Sequence, residues 1–207
     1  MAREKSNRAA ILSDLIESLS ESRDIYILFL DLCDSTAFKE HCLKLNIPES
    51  IWITRQKVFL SRTAKIIQHY RGTIVKTIGD EIMATFSVDV SPSSILNCCL
   101  ETFKAFNSLK SYNKGEFKIS CKAAVDFGSC YDGEILKNSV FDPIGTPVDR
   151  CARIAKHSGA NKVVMSQAFF ETYTGSHGAF DSKLIVEQKD TFKGLGEITF
   201  YTYSGDI

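Results

Sequence analysis

The chain has no excess of charge of either sign and no long apolar run. Its 207 residues include 25 Lys and Arg against 25 Asp and Glu, so the formal net charge is zero. Non-specific nucleic-acid binding requires a basic surface, and we therefore expect no nucleic-acid partner. The longest apolar run, Ile25–Leu30, has six residues, whereas about 20 are needed to cross a bilayer, so no membrane span is expected either.

Paired cysteine motifs and an export signal are also missing. The seven cysteines are odd in number and show no Cys-x-x-Cys spacing, which fits neither a disulfide framework nor a zinc site. The charged start of the chain leads into an amphipathic segment instead of an apolar signal core. We expect reduced, mostly buried thiols and a cytoplasmic location.

What the chain does contain is the composition of a globular protein, with 44% hydrophobic and 24% charged residues. Apolar residues at helical spacing over 8–20 predict an N-terminal helix within residues 1–22, and we assign residues 23–207 to one domain. In the first 130 residues the pattern predicts strands at 25–30, 73–78, 82–86 and 117–127, and helices at 48–69 and 91–111. This βαββαβ order predicts an α+β, ferredoxin-like antiparallel sheet with helices on one face.

Beyond residue 130 the same signals predict a helix over 148–157, a strand over 162–166, a short helix over 167–173 and a closing hairpin around Lys193–Gly196.

Two carboxylates stand where this layout brings strand ends together. Asp31 follows the first strand, and Asp80 lies in the turn between the second and third strands. Because these strands are neighbours in the predicted sheet, both acids are expected at one edge. Carboxylate oxygens suit Mg²⁺ or Mn²⁺ bound together with substrate phosphates. Taken singly, each acid is more simply interpreted as an ordinary strand-end or turn residue.

Four ordered blocks around these acids resemble the catalytic domain of class III nucleotidyl cyclases over residues 24–203. They are Phe29–Thr36, Val75–Asp80, Asp142–Ile154 and Phe192–Glu197. The resemblance implies the class III cyclase fold. It also implies conversion of a nucleoside triphosphate to a 3′,5′-cyclic nucleotide and pyrophosphate.

The same resemblance implies two divalent cations per site, Mn²⁺ or Mg²⁺, bound by Asp31, Asp80 and the Leu32 carbonyl. It places phosphate oxygens on backbone amides at a turn that opens into a helix, an arrangement common at anion sites. Those amides belong to Cys33, Asp34, Ser35 and Thr36.

Two cationic residues carry transferred roles at the polyphosphate. Lys193 would neutralise it, and Arg153 would stabilise charge as pyrophosphate leaves. The family has an asparagine where this chain has Asp149, which removes a hydrogen-bond donor from the catalytic set. Either Asp149 has a different role or a neighbour such as Arg150 offsets its charge.

Lys76 and Asp142 match the base-reading positions of adenine-specific members of the family, which implies ATP as substrate. Each has an equally good plain interpretation, as a solvated strand lysine and as a turn residue before proline. Trp52 and Arg55 are bulkier than the residues usual on the helix over the substrate pocket. We expect them to line that pocket, although core packing is the simpler interpretation of Trp52.

A short chain with such altered pocket residues resembles the bacterial Pycsar pyrimidine cyclases, which make cyclic CMP or cyclic UMP in antiviral defence for a separate downstream effector. In the family the metal edge and the base-reading residues come from different subunits, which implies a homodimer with composite sites. The alternatives are an adenylate cyclase and a degenerate, non-catalytic cyclase module. A diguanylate cyclase is a weaker alternative, because Ile78–Ile82 only partly matches its strand-turn-strand signature.

Overall fold

The computed structural model describes residues 22–109, 117–133, 141–176 and 184–205. The predicted helix over 8–20 lies outside them. The strands are β1 (Arg23–Leu32), β2 (Thr73–Ile78), β3 (Glu81–Ser87), β4 (Cys121–Asp132), β5 (Pro143–Ile144), β6 (Val163–Ser166), β7 (Ile185–Phe192) and β8 (Gly196–Tyr203). The helices are α1 (Ser35–Lys44), α2 (Glu49–His69), α3 (Pro92–Asn107), α4 (Thr146–Ile154) and α5 (Gln167–Gly175), and α4 runs into a 3₁₀ turn at Ala155–His157.

The strands form one sheet in the order β2-β3-β1-β4-β6-β8-β7, and β5 pairs with the end of β4. The first four are antiparallel neighbours, as the ferredoxin-like prediction requires. β6 differs, because it pairs in parallel with β4. A parallel pair needs a crossover connection, and here α4 lies between the two strands in sequence and packs on them. The sheet is therefore mixed.

The central strand β1 is buried on both faces, which explains its uninterrupted apolar sequence. Tyr26, Leu28 and Leu30 face the cluster covered by α2, α3 and α5. Ile27 and Phe29 face the opposite cluster, which α4 covers. Helices thus pack on both faces of the complete sheet and not on one face alone.

Several predicted boundaries shift. β4 is Cys121–Asp132 and not 117–127, and α3 ends at Asn107, four residues before the predicted end. Ser91 caps α3 by accepting a hydrogen bond from the amide of Ser94. The family resemblance predicts that a helix opens near Thr36, but the hydrophobic pattern does not predict the rest of α1. The reason is that only Phe38 and Cys42 of its residues are buried.

Six of the seven cysteines are buried free thiols, in agreement with the prediction, and Cys33 is partly exposed. None of the helices in the described ranges combines the length and apolar character needed to cross a membrane.

Candidate active site

The two predicted carboxylates meet at one edge of the sheet. Asp31 lies at the end of β1, where it is paired in register with Glu81 on β3 and with Lys122 on β4. Asp80 occupies the β2–β3 turn immediately before Glu81. The Lys122 ammonium lies 3.2 Å from Oδ2 of Asp31. The edge therefore carries three acids, and Asp31 is paired with Lys122.

Burial and mutual repulsion mark this edge electrostatically. Burial raises the pKa of Asp31, Lys122 opposes that shift, and the charge of Asp80 adds to it. The pKa of Glu81 rises to about 7, first because of burial and then because Asp31 and Asp80 are close. A bound cation would stabilise the ionised carboxylates of this edge, because burial and mutual repulsion disfavour their charged forms.

The donor set fits a hard divalent cation that is shared with a substrate. In the described ranges no three His, Cys, Asp or Glu side chains converge as a self-sufficient metal cage. Oδ2 of Asp80, however, is buried without a hydrogen-bond partner. Two carboxylates with one orphaned oxygen suit Mg²⁺ or Mn²⁺, whose remaining ligands are commonly waters and substrate phosphates.

A cavity of about 200 Å³ opens beside Asp80. Its lining comprises Leu32, Ser35, Thr36, Phe38, Lys39, Trp52, Arg55, Gln56, Gly79 and Asp80. Trp52 is half-buried and lines this cavity instead of joining either core cluster. Lys39, which the sequence did not indicate, lies with its ammonium 4.5 Å from the centroid of the Trp52 ring, within the range of a cation–π contact.

The turn after β1 is only partly available for phosphate. The amide of Cys33, a predicted phosphate donor, already donates to the carbonyl of Ser120 at 2.9 Å. Asp34 occupies the N-cap position of α1 in the left-handed conformation, with φ of 57°, and its side chain makes no capping hydrogen bond. Ser35 and Thr36 begin the helix, where amides have no partner within the helix.

Arg55 is buried at 7% relative exposure although it borders the cavity. Its Nη2 donates to the carbonyls of Cys33 and Lys118, each at 3.1 Å. The guanidinium also lies 5.0 Å from the ring centroid of Phe38. The hydrogen bonds of Nη2 are therefore with the protein backbone, and direct contact of Arg55 with substrate stays a prediction.

Lys76 and Asp142 form an ion pair although 66 residues separate them. The Lys76 ammonium lies 2.7 Å from both carboxylate oxygens of Asp142. Both side chains keep substantial exposure, 45% and 33%. The pairing favours a joint role over two unrelated surface residues, and neither residue lines the cavity beside Asp80.

Three residues of the third block, Asp149, Arg150 and Arg153, lie on helix α4 in different surroundings. Asp149 is exposed on the first turn, where a negative charge is favourable near the helix N-terminus. Arg150 points inward and binds the carboxylate of Asp126 at 2.6 and 2.7 Å. Arg150 consequently does not offset Asp149, and that interpretation is wrong. Arg153, in the last turn, is partly buried and lies outside the cavity beside Asp80.

Lys193 is exposed in the β7–β8 turn, which forms at the position predicted for the closing hairpin. In one chain, then, the acidic edge is assembled, whereas Lys76, Asp142, Arg153 and Lys193 lie outside its cavity.

The sequence profile of the adenylate and guanylate cyclase catalytic domain matches residues 18–205. The chain belongs to this family. No curated protein is similar enough in sequence to match it. The fold of this cyclase-family chain is shared by solved structures of low sequence identity.

Three such structures illustrate the similarity. The guanylyl cyclase Cya2 has a TM-score of 0.74 at 18% identity, covering 89% of this chain and 93% of that one. The adenylyl cyclase CyaB from P. aeruginosa has a TM-score of 0.71 at 17% identity, with 90% and 96% covered. The guanylate cyclase domain of RhGC from Catenaria anguillulae, solved with GTP, has a TM-score of 0.70 at 15% identity, with 91% and 100% covered.

Four residues at the site escaped sequence reasoning: Lys39, Gln56, Glu81 and Lys122. Lys122 reaches Asp31 only through the β1–β4 register, and Gln56 lies 23 residues from its partner Gly79. Only Glu81 had a local signal, since it directly follows Asp80.

Proposed function

We propose that this cyclase-family chain converts a nucleoside triphosphate to its 3′,5′-cyclic monophosphate and pyrophosphate. The observation that carries the proposal is the shared edge of Asp31 and Asp80, with its orphaned Asp80 oxygen beside a cavity. In the reaction the ribose 3′-hydroxyl loses its proton, a bond forms between O3′ and the α-phosphorus, and the bond from that phosphorus to the bridging oxygen breaks.

The residues have distinct tasks in this proposal. Asp31, Asp80 and the Leu32 carbonyl would hold two divalent cations, which supply Lewis-acid activation of the hydroxyl and neutralise phosphate charge. The first-turn amides of α1, at Ser35 and Thr36, bind phosphate oxygens at a helix N-terminus. Lys193 neutralises the polyphosphate as a point charge, and Arg153 stabilises charge on the leaving pyrophosphate.

The site is composite between two copies of the chain. Support comes from the separation within one chain: the acidic edge borders the cavity, whereas Lys76, Asp142, Arg153 and Lys193 do not line it. A head-to-tail pair related by a two-fold axis would bring each acidic edge to the partner's basic residues and would form two sites.

We propose that the Lys76–Asp142 pair reads the base. It offers one donor beside one acceptor, 2.7 Å apart. Cytosine and adenine each present an amino group next to an unprotonated ring nitrogen, which matches an acceptor and a donor. Guanine and uracil present a carbonyl next to a ring N–H, the reverse order. We place Asp142 at the exocyclic group and Lys76 at the ring nitrogen, and in that orientation the pair favours CTP or ATP over GTP or UTP.

Between these two, we propose CTP, with ATP as the alternative. Trp52 lines the cavity beside Asp80, and a composite site narrowed by its ring would exclude a purine by steric conflict. The product would be cyclic CMP, a cytoplasmic messenger read by a separate effector in antiviral defence. That biological role rests on the resemblance to Pycsar cyclases alone.

A product assay tests the proposal. Purified protein with Mn²⁺ receives ATP, GTP, CTP and UTP separately, and the products are resolved by mass. Cyclic CMP as the main product supports the full proposal, and cyclic AMP supports the cyclase with adenine as base. Cyclic GMP or cyclic UMP would overturn the base assignment, and absence of any cyclic product would overturn the enzyme assignment.

A non-catalytic module is the second candidate, because Asp149 replaces the amide donor that the family places there. Such a module would bind nucleotide at the same edge without releasing pyrophosphate. Equilibrium binding of CTP and ATP combined with a pyrophosphate assay separates the two functions directly.

A further inference from the structure

Two adjacent side chains of α2 reach the two turns that carry the candidate metal ligands. Nη2 of Arg55 donates to the carbonyl of Cys33, two residues after Asp31. Nε2 of Gln56 donates to the carbonyl of Gly79 at 2.8 Å, one residue before Asp80. The two turns belong to different loops, and α2 contacts both through consecutive residues.

Arg55 lies on the face of α2 that the helical spacing of buried residues directs toward the core. The buried residues of α2 are Arg55, Phe59, Thr63 and Ile67, spaced four apart along one face. Burying a guanidinium is costly unless it is hydrogen-bonded. Nη2 of Arg55 binds two backbone carbonyls and the guanidinium packs on the Phe38 ring, whereas Nε is buried without a hydrogen-bond partner. The hydrogen bonds of Nη2 offset part of the cost and fasten the Cys33 turn to α2.

The charge of Arg55 also acts on the acidic edge. Burial lowers the pKa of Arg55, while the nearby carboxylates of Asp34 and Asp80 oppose that shift. Nη2 of the guanidinium donates to two backbone carbonyls. Oδ2 of Asp80 is buried without a hydrogen-bond partner, so Arg55 does not occupy that oxygen.

Gln56 fixes the other turn. Gly79 has φ of +64°, and nothing lies within 4 Å of where a Cβ would be. A loosely packed glycine turn allows the backbone to vary unless another contact restrains it. The hydrogen bond from Gln56 supplies that restraint at the peptide that leads into Asp80.

We propose that Arg55 and Gln56 are positioning residues that fix the distance between the Asp31 and Asp80 turns for divalent-cation binding. The inference rests on the proposed function, because it assigns these two residues to the metal edge of that site. Residues that orient metal ligands change metal affinity by about 10- to 100-fold when they are replaced.

The test compares Gln56→Met with Gln68→Met, which makes the same replacement at an exposed position of the same helix. Mn²⁺ binding is measured from the electron paramagnetic resonance of free Mn²⁺, with no nucleotide present. We expect the dissociation constant to rise about tenfold in Gln56→Met and to stay at the wild-type value in Gln68→Met. Equal affinity in both variants would overturn the proposal.

Arg55→Met, with Arg62→Met as its exposed control, should weaken Mn²⁺ binding similarly. If Arg55→Met fails to fold, the comparison of Gln56→Met with Gln68→Met still tests the proposal. A second readout is the Mn²⁺ concentration that gives half-maximal cyclase rate. It should rise about tenfold in Gln56→Met and stay at the wild-type value in Gln68→Met.

The outcomes separate this inference from the proposed function. Mn²⁺ bound by wild type and equally by Gln56→Met would overturn the positioning role alone. Mn²⁺ bound more weakly by Gln56→Met, with no cyclic product from any nucleotide, would support the positioning role and overturn the enzyme assignment. No Mn²⁺ binding by wild type, together with no cyclic product from any nucleotide, would overturn both. If wild type forms cyclic product without binding Mn²⁺ in the absence of nucleotide, the Mn²⁺ concentration for half-maximal rate decides the positioning role.

Discussion

Arg150 and Asp126 form a buried ion pair that joins α4 to the central sheet. The Asp126 side chain has no exposure, and Nε and Nη2 of Arg150 donate to its two oxygens at 2.7 and 2.6 Å. Ser166 donates to the same carboxylate at 2.6 Å. The pair fixes the rotation of α4, so that Arg150 points inward while Asp149, the adjacent residue, is exposed.

Breaking this pair should destabilise the fold asymmetrically. Arg150→Met leaves a buried, uncompensated carboxylate and should cost about 3–5 kcal/mol of unfolding free energy. Asp126→Asn should cost less, because Arg150 retains 23% side-chain exposure and can be solvated. Urea unfolding at neutral pH measures both.

The double variant Asp126→Asn/Arg150→Met supplies the control. It should recover part of the Arg150→Met loss, because no unpaired charge remains. A single Arg150→Met change that costs under about 1 kcal/mol would show that the pair contributes no more than a surface contact.

Lys76→Met should weaken base discrimination. Loss of the donor beside Asp142 removes a contact that only the matching base makes, so kcat/KM for the preferred nucleotide should fall about 10- to 100-fold. The other nucleotides should change by less than about threefold. Lys189→Met, an exposed strand lysine on β7, is the matched control and should behave as wild type. A uniform loss across all four nucleotides would contradict the base-reading role.

Mixing two inactive variants tests the composite site. Asp80→Asn removes a metal ligand and Arg153→Ala removes a charge-stabilising group, and each homodimer should be inactive. After subunit exchange each mixed dimer carries one intact site, so about a quarter of wild-type activity should return when half of the dimers are mixed. Activity that stays at the level of the separate variants would place both residues in the same subunit's site.

Much of the fold follows from local sequence. The apolar run of β1, the acid at its end and the glycine-aspartate turn define the edge without reference to distant residues. The family resemblance assigns Lys76 and Asp142 a common role, but no local pattern predicts their ion pair, because 66 residues separate the two.

The remaining features depend on register and helix rotation, which local patterns do not encode. The Cys33 amide is taken up by Ser120 through the placement of the segment before β4. Arg150 points inward because Asp126 of β4 lies on the sheet face that α4 covers. The Gln56–Gly79 contact depends on where α2 crosses the β2–β3 turn, and a glutamine on a helix carries no signal for such a partner.

The cyclase assignment is tested most directly by comparing the products of wild type, Asp80→Asn and Glu187→Gln by mass, with Mn²⁺ and each of the four nucleoside triphosphates. Glu187 is exposed on β7 and controls for loss of one acidic charge. Wild type and Glu187→Gln should form a 3′,5′-cyclic nucleotide and pyrophosphate, whereas Asp80→Asn should lose at least about 100-fold in rate, as expected for loss of a direct metal ligand. Cyclic product from Asp80→Asn at the wild-type rate, or none from wild type, would contradict the assignment.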